Sequence, residues 1–173
     1  MHVLSTRRNI LAGIAALAAV PLAQRRSLKA QQPSMEEKRS SGAHAALTAI
    51  HYDIDFKARP QRVYQAIIDQ KQFAAFSGLP ATIDPTPGGA FSMFGGVISG
   101  RTIELVQDQR IVQAWRPSHW DAGLYSIVHF EFKPRGAETH LAFDHSSFPA
   151  GEYDSLDSGW HKHYWDPLQK YLV

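Results

Sequence analysis

The side chain at position 145 is suited by type to acid–base chemistry, because histidine titrates near neutral pH. His145 follows Leu141 and Phe143 at intervals of two in a predicted strand, so the three side chains share its inward face. A histidine in such a place is a buried ring satisfied within the protein, a ligand contact, or a general base. The residue types alone leave all three roles open.

Metal binding is a second possible chemistry, because the chain has nine histidines. Asp157 and His161 stand four residues apart on a predicted helix and could chelate together, whereas His161 and His163 face different directions. No HExxH or similar spacing supplies a third ligand. The absence of cysteine excludes thiolate sites and disulfides. We therefore expect no metal and no other cofactor.

Aromatic residues from several predicted elements could enclose a cavity beside His145. Trp160 and Tyr164 lie four residues apart, and Gln113 and Trp115 share one face of a predicted strand. Aromatic walls with few polar groups suit a medium-sized, mostly apolar ligand. The predicted ligand-binding residues are Phe76, Gln113, Trp115, Phe143, His145, Trp160 and Tyr164.

A long C-terminal helix, over about residues 153–173, is the element that must position this cavity. Its apolar residues recur every three or four positions: Tyr153, Leu156, Trp160, Tyr164, Leu168 and Leu172. We expect Asp154 or Ser155 to cap its start. Pro167 is expected to kink the helix or, with Asp166, to restart a final short turn.

The preceding residues predict one strand, two short helices and then an antiparallel meander. In the first strand Ile50, Tyr52, Ile54 and Phe56 alternate with a solvated set, His51, Asp53, Asp55 and Lys57. Helices are expected from Pro60 and over 70–76. Further strands are expected over 81–87, 90–94, 97–106, 110–116, 124–133 and 138–145. For residues 90–94 the inward pair, Phe91 with Met93 or Ser92 with Phe94, stays open.

These elements predict an α+β fold in which a curved antiparallel sheet of six to seven strands wraps around the long C-terminal helix. The hairpin connections are short, so neighbouring strands run antiparallel. The sheet must bury one face, and that helix is the large element left to cover it.

Charge is distributed unevenly along the chain. Residues 1–45 hold seven of the 18 basic and two of the 16 acidic residues, which leaves positions 46–173 mildly acidic. The basic isoelectric point, about 8.9, therefore comes from the front of the chain. This removes the argument for nucleic-acid binding.

The front of the chain resembles a twin-arginine export signal. Arg7-Arg8 precede Asn9-Ile10-Leu11 and an uncharged run that ends near Ala23, too short for a stable membrane span. The resemblance implies recognition of Arg7 and Arg8 by the twin-arginine translocon, cleavage near Ala23 or Ala30, and a periplasmic or secreted protein. We expect an export signal over 1–30, a linker over 31–46 and one domain over 47–173.

The domain resembles the START-like, birch-pollen-allergen-like superfamily of helix-grip proteins. Within it, the motifs are similar to those of the subfamily of the activator of the heat-shock-protein-90 ATPase. Over about 48–172 these are Gly88-Gly89-Ala90-Phe91, Gly100 with Glu104-Leu105, 110–116, Thr139-His140-Leu141, His145, Phe148-Pro149, and Gly159-Trp160 with Tyr164.

Three functions remain as hypotheses. The first is an exported, non-enzymatic protein that binds a small hydrophobic or aromatic molecule between sheet and helix. The second is a cavity enzyme of hydrolase, dehydratase or cyclase type with His145 as general base. The third, implied by the resemblance, is an interaction module like the heat-shock-protein-90 activator, which would need an exposed apolar patch on the outer sheet face.

Overall fold

The computed structural model describes residues 48–173, and the predicted export signal and linker lie outside them. The strands are β1 (Ala49–Phe56), β2 (Thr82–Ile83), β3 (Ala90–Met93), β4 (Ile98–Val106), β5 (Arg110–Pro117), β6 (Ser126–Arg135) and β7 (Glu138–Ser146). The helices are α1 (Pro60–Ile68), α2 (Gln70–Ser77), α3 (Tyr153–Gly159) and α4 (Asp166–Leu172), with a π-helical segment (Trp160–Trp165) joining the last two.

The strands form one seven-stranded antiparallel sheet in the order β1-β7-β6-β5-β4-β3-β2. Consecutive strands from β2 to β7 are neighbours, and β1 closes onto β7 with Ile50 opposite His145. The predicted α+β fold is confirmed. Phe91 and Met93 are buried while Ser92 is partly exposed, which answers the question left open for β3.

Local sequence signals set the ends of the two short helices. Pro60 occupies the first turn of α1, where a missing N–H costs nothing. The Asp69 carboxylate caps α2 by accepting from the backbone N–H groups of Lys71 and Gln72. Gly78, with φ of 71°, ends α2 in the left-handed region that favours glycine.

The C-terminal helix covers the inner face of the sheet, as predicted, but its middle is π-helical. The Asp166 N–H donates to the His161 carbonyl, five residues back. This wider turn brings Trp165 inward together with Trp160 and Tyr164, and all three are buried. Trp165 was missing from the predicted apolar face of the helix because that prediction used the α-helical period throughout.

Two expectations about the ends of this helix differ in outcome. The predicted cap at Asp154 or Ser155 is wrong, because Glu152 holds the N-cap position and makes no side-chain cap hydrogen bond. Both predicted residues lie within the first turn of α3 instead. Pro167 stands in the first turn of α4, directly after the π-helical segment, so a new helical stretch starts there as one of the two expectations had it.

Candidate functional site

A pocket of about 650 Å³ lies between the first half of the C-terminal helix and the sheet around β3–β5, and it is open to solvent on one side. Its apolar lining comprises Leu79, Phe94, Val97, Ile98, Trp115, Pro117, Leu156, Trp160 and Tyr164. Its polar lining comprises His119, Asp154, Ser155, Ser158, Lys162 and His163, with Gly159 between them.

The outer wall is made by the segment after α2 and the turn between β3 and β4. The Gly95 N–H donates to the Pro80 carbonyl at 2.8 Å, which ties the two segments together. Phe94 adopts a φ of 54° at the start of this turn, and its ring packs on Phe73 and Tyr164. Leu79 and Val97 remain 44% and 54% exposed, so the mouth of the pocket has an apolar rim.

The opposite rim is polar and belongs to the helix and to the loop after β5. Lys162 and His163 are exposed on the π-helical segment. The His119 ring lies 3.2 Å from the Glu152 carboxylate, an ion pair when the histidine is protonated. This contact holds the loop after β5 to the start of α3. Trp120 in that loop is folded back and buried.

Two stacked indoles, Trp115 and Trp160, form the inner wall, and a third, Trp165, stacks on Trp160 without lining the pocket. Trp160 stacks on Trp115 at a centroid distance of 4.7 Å and on Trp165 at 5.2 Å. The Trp160 N–H donates to His145 Nδ1 at 2.9 Å, and the Trp115 N–H donates to Gln113 Oε1 at 2.9 Å. Both indole donors on the pocket lining are thus satisfied within the protein.

His145 lies behind this wall and is fully buried. Because Nδ1 accepts from Trp160, the ring proton lies on Nε2, which donates to the Ser126 hydroxyl at 2.7 Å. The Ser126 hydroxyl in turn donates to the Trp115 carbonyl at 3.3 Å. Burial lowers the pKa of His145 to about 3, which keeps the ring neutral.

This environment argues against His145 as a general base. Both of its ring nitrogens are engaged, and neither it nor Ser126 lines the pocket, so a substrate there does not reach them. A nitrogen with so low a pKa is also a poor proton acceptor at neutral pH. Of the three roles left open by the sequence, the geometry corresponds to the internally satisfied histidine.

The seven predicted ligand-binding residues form one contiguous cluster, but three of them line the pocket: Trp115, Trp160 and Tyr164. Gln113 and His145 stand behind the indoles as hydrogen-bond acceptors. Phe143 packs edge-on against Trp160 at 4.4 Å, and Phe76 against Tyr164 at 5.6 Å. The space directly between these residues is filled, so the pocket lies to one side of the predicted cavity.

Sequence reasoning missed most of the outer wall. Leu79 stands in a connecting segment, where no periodic pattern assigns a side chain to a face, and Val97, predicted to begin the strand over 97–106, lies in the turn before β4. Gly159 was noted for its motif, yet it contributes by having no side chain. A Cβ built there meets no atom within 4 Å, so the helix surface beside Trp160 is bare.

Among residues 48–173, six buried side-chain atoms have no hydrogen-bond partner, and they include the Tyr164 hydroxyl, the Gln113 Nε2 and the Nε1 atoms of Trp120 and Trp165. Tyr164 is 1% exposed, and burial raises the pKa of its phenol well above the usual value. The phenol therefore remains protonated.

The outer face of β1 and β7 carries a polar network. His51 Nδ1 lies 2.7 Å from Asp144, and His140 lies 3.0 Å from Asp53 and 2.8 Å from Asp55. The hydrogen bond to Asp144 raises the pKa of His51. The hydrogen bond from His140 lowers the pKa of Asp55. An apolar docking patch is therefore absent from these described strands.

Asp157 and His161, which were considered as a chelating pair, both make other contacts. The Tyr52 hydroxyl donates to Asp157, and His161 packs edge-on against the Tyr52 ring at 4.9 Å. Within residues 48–173 no group of three or more metal-ligating side chains is arranged to hold a metal ion. None of the helices in this part of the chain is long and apolar enough to cross a membrane.

The sheet order, the two short helices after β1 and the helix that covers the inner face define a helix-grip protein. Residues 57–173 match the family described as Activator of Hsp90 ATPase homolog 1-like protein, and the chain belongs to that family. The resemblance predicted for the domain is therefore confirmed.

Relatives and solved structures agree with this assignment. The human activator of 90 kDa heat shock protein ATPase homolog 1 is 28% identical over 138 residues, which are 80% of this chain and 41% of the human protein. The crystal structure of an HSP90 activator from Plasmodium falciparum has a TM-score of 0.66 at 25% identity, over 68% of this chain and 91% of that one.

CalU16 from Micromonospora echinospora shares the fold, with a TM-score of 0.63 at 19% identity over 72% of this chain and 76% of that one. The chain spans about two fifths of the length of the curated human relative it matches. The activity of that longer protein is therefore not carried over with the fold.

Proposed function

We propose that the domain is a non-enzymatic binding protein for a small hydrophobic or aromatic molecule, held in the pocket beside the C-terminal helix. The pocket itself carries this proposal. Its volume of about 650 Å³ falls within the range of small-molecule sites, roughly 300–1,000 Å³.

The distribution of polar atoms supports an apolar ligand body. The buried lining is aromatic and aliphatic, and its two indole N–H groups are already paired. The ionisable residues of the lining, His119, Asp154, Lys162 and His163, are all exposed. Burying a charged ligand group against the inner wall would be unfavourable, because no buried cation or anion lines it.

Gly159 offers a direct test, because a side chain added there enters open space on the pocket lining. A thermal-shift screen of lipids, polyketides and aromatic compounds is run on the wild type, on Gly159→Ala and on Gly159→Leu. A ligand present at 100 times its Kd stabilises the native state by about 2.7 kcal/mol.

We expect the stabilisation to persist in Gly159→Ala and to be lost in Gly159→Leu, whose side chain occupies the pocket. Gly159→Ala is the matched control for the change in helix propensity. A screen in which no compound stabilises the wild type contradicts the proposal. Equal stabilisation of the wild type and Gly159→Leu places the ligand elsewhere and contradicts it as well.

We also propose that the protein acts outside the cytoplasm, after twin-arginine export through Arg7 and Arg8. The sequence around the arginine pair supports this. Fractionation of cells that produce the full chain is expected to place it in the periplasm or medium, with a mature N-terminus near Ala23 or Ala30. A paired Arg7→Lys/Arg8→Lys variant should be retained in the cytoplasm; equal export of both forms would argue against this route.

An interaction module acting on a heat-shock-protein-90-type ATPase is the second candidate. It is supported by the likeness to the human and Plasmodium falciparum activators. Stimulation of such an ATPase by the purified domain, undiminished in Gly159→Leu, would favour this function over ligand binding. Absence of stimulation across a range of domain concentrations would exclude it.

A further inference from the structure

Phe94 lines the pocket in a backbone conformation that phenylalanine rarely adopts. Its φ of 54° lies in the left-handed region, where a bulky residue is an outlier. Holding a residue there costs free energy, so such a conformation persists only where the surrounding structure enforces it. Residues of this kind cluster at functional sites, which makes Phe94 a candidate for a role beyond packing.

The left-handed conformation is what turns the Phe94 ring inward. Side chains alternate along β3, where Met93 faces the core and is buried while Ser92 is partly exposed. An extended backbone would continue this alternation and place Phe94 on the side of Ser92. Instead, the Phe94 ring packs edge-on against the buried rings of Phe73, at 5.1 Å, and Tyr164, at 6.2 Å. Two consecutive residues thus point inward, which a regular strand does not allow.

Two backbone hydrogen bonds hold the turn that carries this ring. The Gly95 N–H donates to the Pro80 carbonyl at 2.8 Å, and the Ser118 N–H donates to the Val97 carbonyl at 2.8 Å. The partners belong to two different segments, one after α2 and one after β5, so the turn is fixed on both sides. The Phe94 ring is therefore positioned before any ligand binds, which lowers the entropic cost of binding.

The Phe94 ring and the indole pair are separate parts of one lining. Trp115 and Trp160 line the same pocket, and within residues 48–173 no ring contact joins either of them to Phe94. The pocket therefore extends from the Phe94 ring to the two indoles. A flat aromatic body in this space can contact both, and an aromatic pair gains more free energy than its buried area alone provides.

We propose that Phe94 is a specificity-determining residue of the pocket, and that its inward-turned ring selects a flat aromatic ligand over a saturated one of the same outline. This inference rests on the proposed binding function and adds the chemical class of the ligand. Filling space against Phe73 requires an apolar side chain but not an aromatic one, so a purely structural role can be separated by experiment.

The test compares two probes, 2-naphthol and decahydro-2-naphthol, which share two fused six-membered rings and one hydroxyl but differ in aromaticity. Calorimetric titration gives their affinities for the wild type, for Phe94→Leu and for Phe132→Leu. Leucine keeps the apolar bulk and the backbone cost at position 94 but removes the aromatic face. Phe132→Leu is the matched control, because Phe132 is a buried ring of β6 outside the pocket lining.

We expect the wild type to bind the naphthol more tightly than its saturated analogue. Phe94→Leu should reduce this ratio of affinities by about twofold to tenfold, the value of one aromatic pair. Its affinity for the saturated probe should change little, and Phe132→Leu should keep the wild-type ratio.

The strained backbone is tested separately by the urea midpoints of Phe94→Gly and Phe94→Ala, which both lack the ring. Glycine accepts a positive φ at no steric cost, so Phe94→Gly should have the higher midpoint. At an ordinary strand position the order is reversed.

An unchanged ratio of affinities in Phe94→Leu overturns the proposal while leaving the binding function intact, because the ring would then only fill space. A midpoint of Phe94→Ala equal to or above that of Phe94→Gly overturns it as well, since no strained conformation would be holding the ring inward. If the wild type binds neither probe, the preference for aromatic bodies is refuted, and the Gly159 variants decide the binding function separately.

Discussion

Acidification from pH 7 to pH 5 should destabilise the domain through one buried residue, His145. The ring is neutral in the native state, because its Nδ1 accepts from Trp160 and burial lowers its pKa to about 3. In the unfolded chain the pKa returns to about 6.5. Below that value the unfolded state binds a proton that the native state does not, so stability falls as pH falls.

The size of the effect follows from the two pKa values. At pH 5, well above the native pKa of about 3, protonation of the unfolded state costs the native state about 2 kcal/mol relative to neutral pH. The loss approaches about 5 kcal/mol only below pH 3. With a urea m-value of roughly 2 kcal/mol per molar, a loss of about 2 kcal/mol lowers the midpoint by about 1 M.

The assay is urea unfolding at pH 7, 6 and 5, followed by tryptophan fluorescence, for the wild type and for His145→Asn. Asparagine keeps an acceptor for the Trp160 N–H and does not titrate. The variant should therefore be less stable than the wild type at every pH, but it should not show the further decrease in stability that His145 causes on acidification. His51→Asn is the control of opposite sign. The raised pKa of the exposed His51 adds stability as pH falls, and its removal should steepen the decline. Parallel pH profiles for the wild type and His145→Asn would refute the reasoning.

Three further predictions concern packing and hydrogen bonds, each checked by the urea midpoint. Gly100→Ala should cost about 3 kcal/mol or more, because its Cβ would lie 1.9 Å from the Ala114 carbonyl oxygen; a cost near zero contradicts this. Tyr52→Phe should cost about 1.5 kcal/mol by removing the bond to Asp157 that joins β1 to α3, and an unchanged midpoint would mean the bond is not stabilising. Thr139→Val should cost about 1 kcal/mol, because the Ala58 carbonyl loses a donor at 2.6 Å; a neutral result would indicate that water replaces it.

The sheet was predictable because its alternation is local. In β1 the side chains of Ile50, Tyr52, Ile54 and Phe56 face inward and those of the alternating solvated set face outward, as the period of two requires. Glycine and proline marked most turns, so strand ends are correct to within a few residues. The exception is β2, which spans only Thr82–Ile83. Strand β6 begins at Ser126 rather than at 124 as predicted, and Leu124 and Tyr125 are exposed in the loop before it.

The site was predictable in composition but not in geometry. The aromatic residues and His145 do meet beneath the helix, because strand and helix faces converge on one core. Which of them fill space and which border space depends on distances between elements that are remote in sequence. Trp165 illustrates this, since it enters the stack only through the π-helical turn.

The sequence by itself determined the antiparallel sheet, the covering C-terminal helix, the family, and the residues that would be buried together, because hydrophobic periodicity and turn chemistry act over a few neighbouring positions. The tertiary structure alone decided that the Trp160 N–H donates to His145, which leaves this histidine unsuited to act as a general base. It also decided that open volume remains beside Gly159. Both depend on how the side chains of β5, β6, β7 and the helix fill one shared space, and local patterns carry no record of that packing.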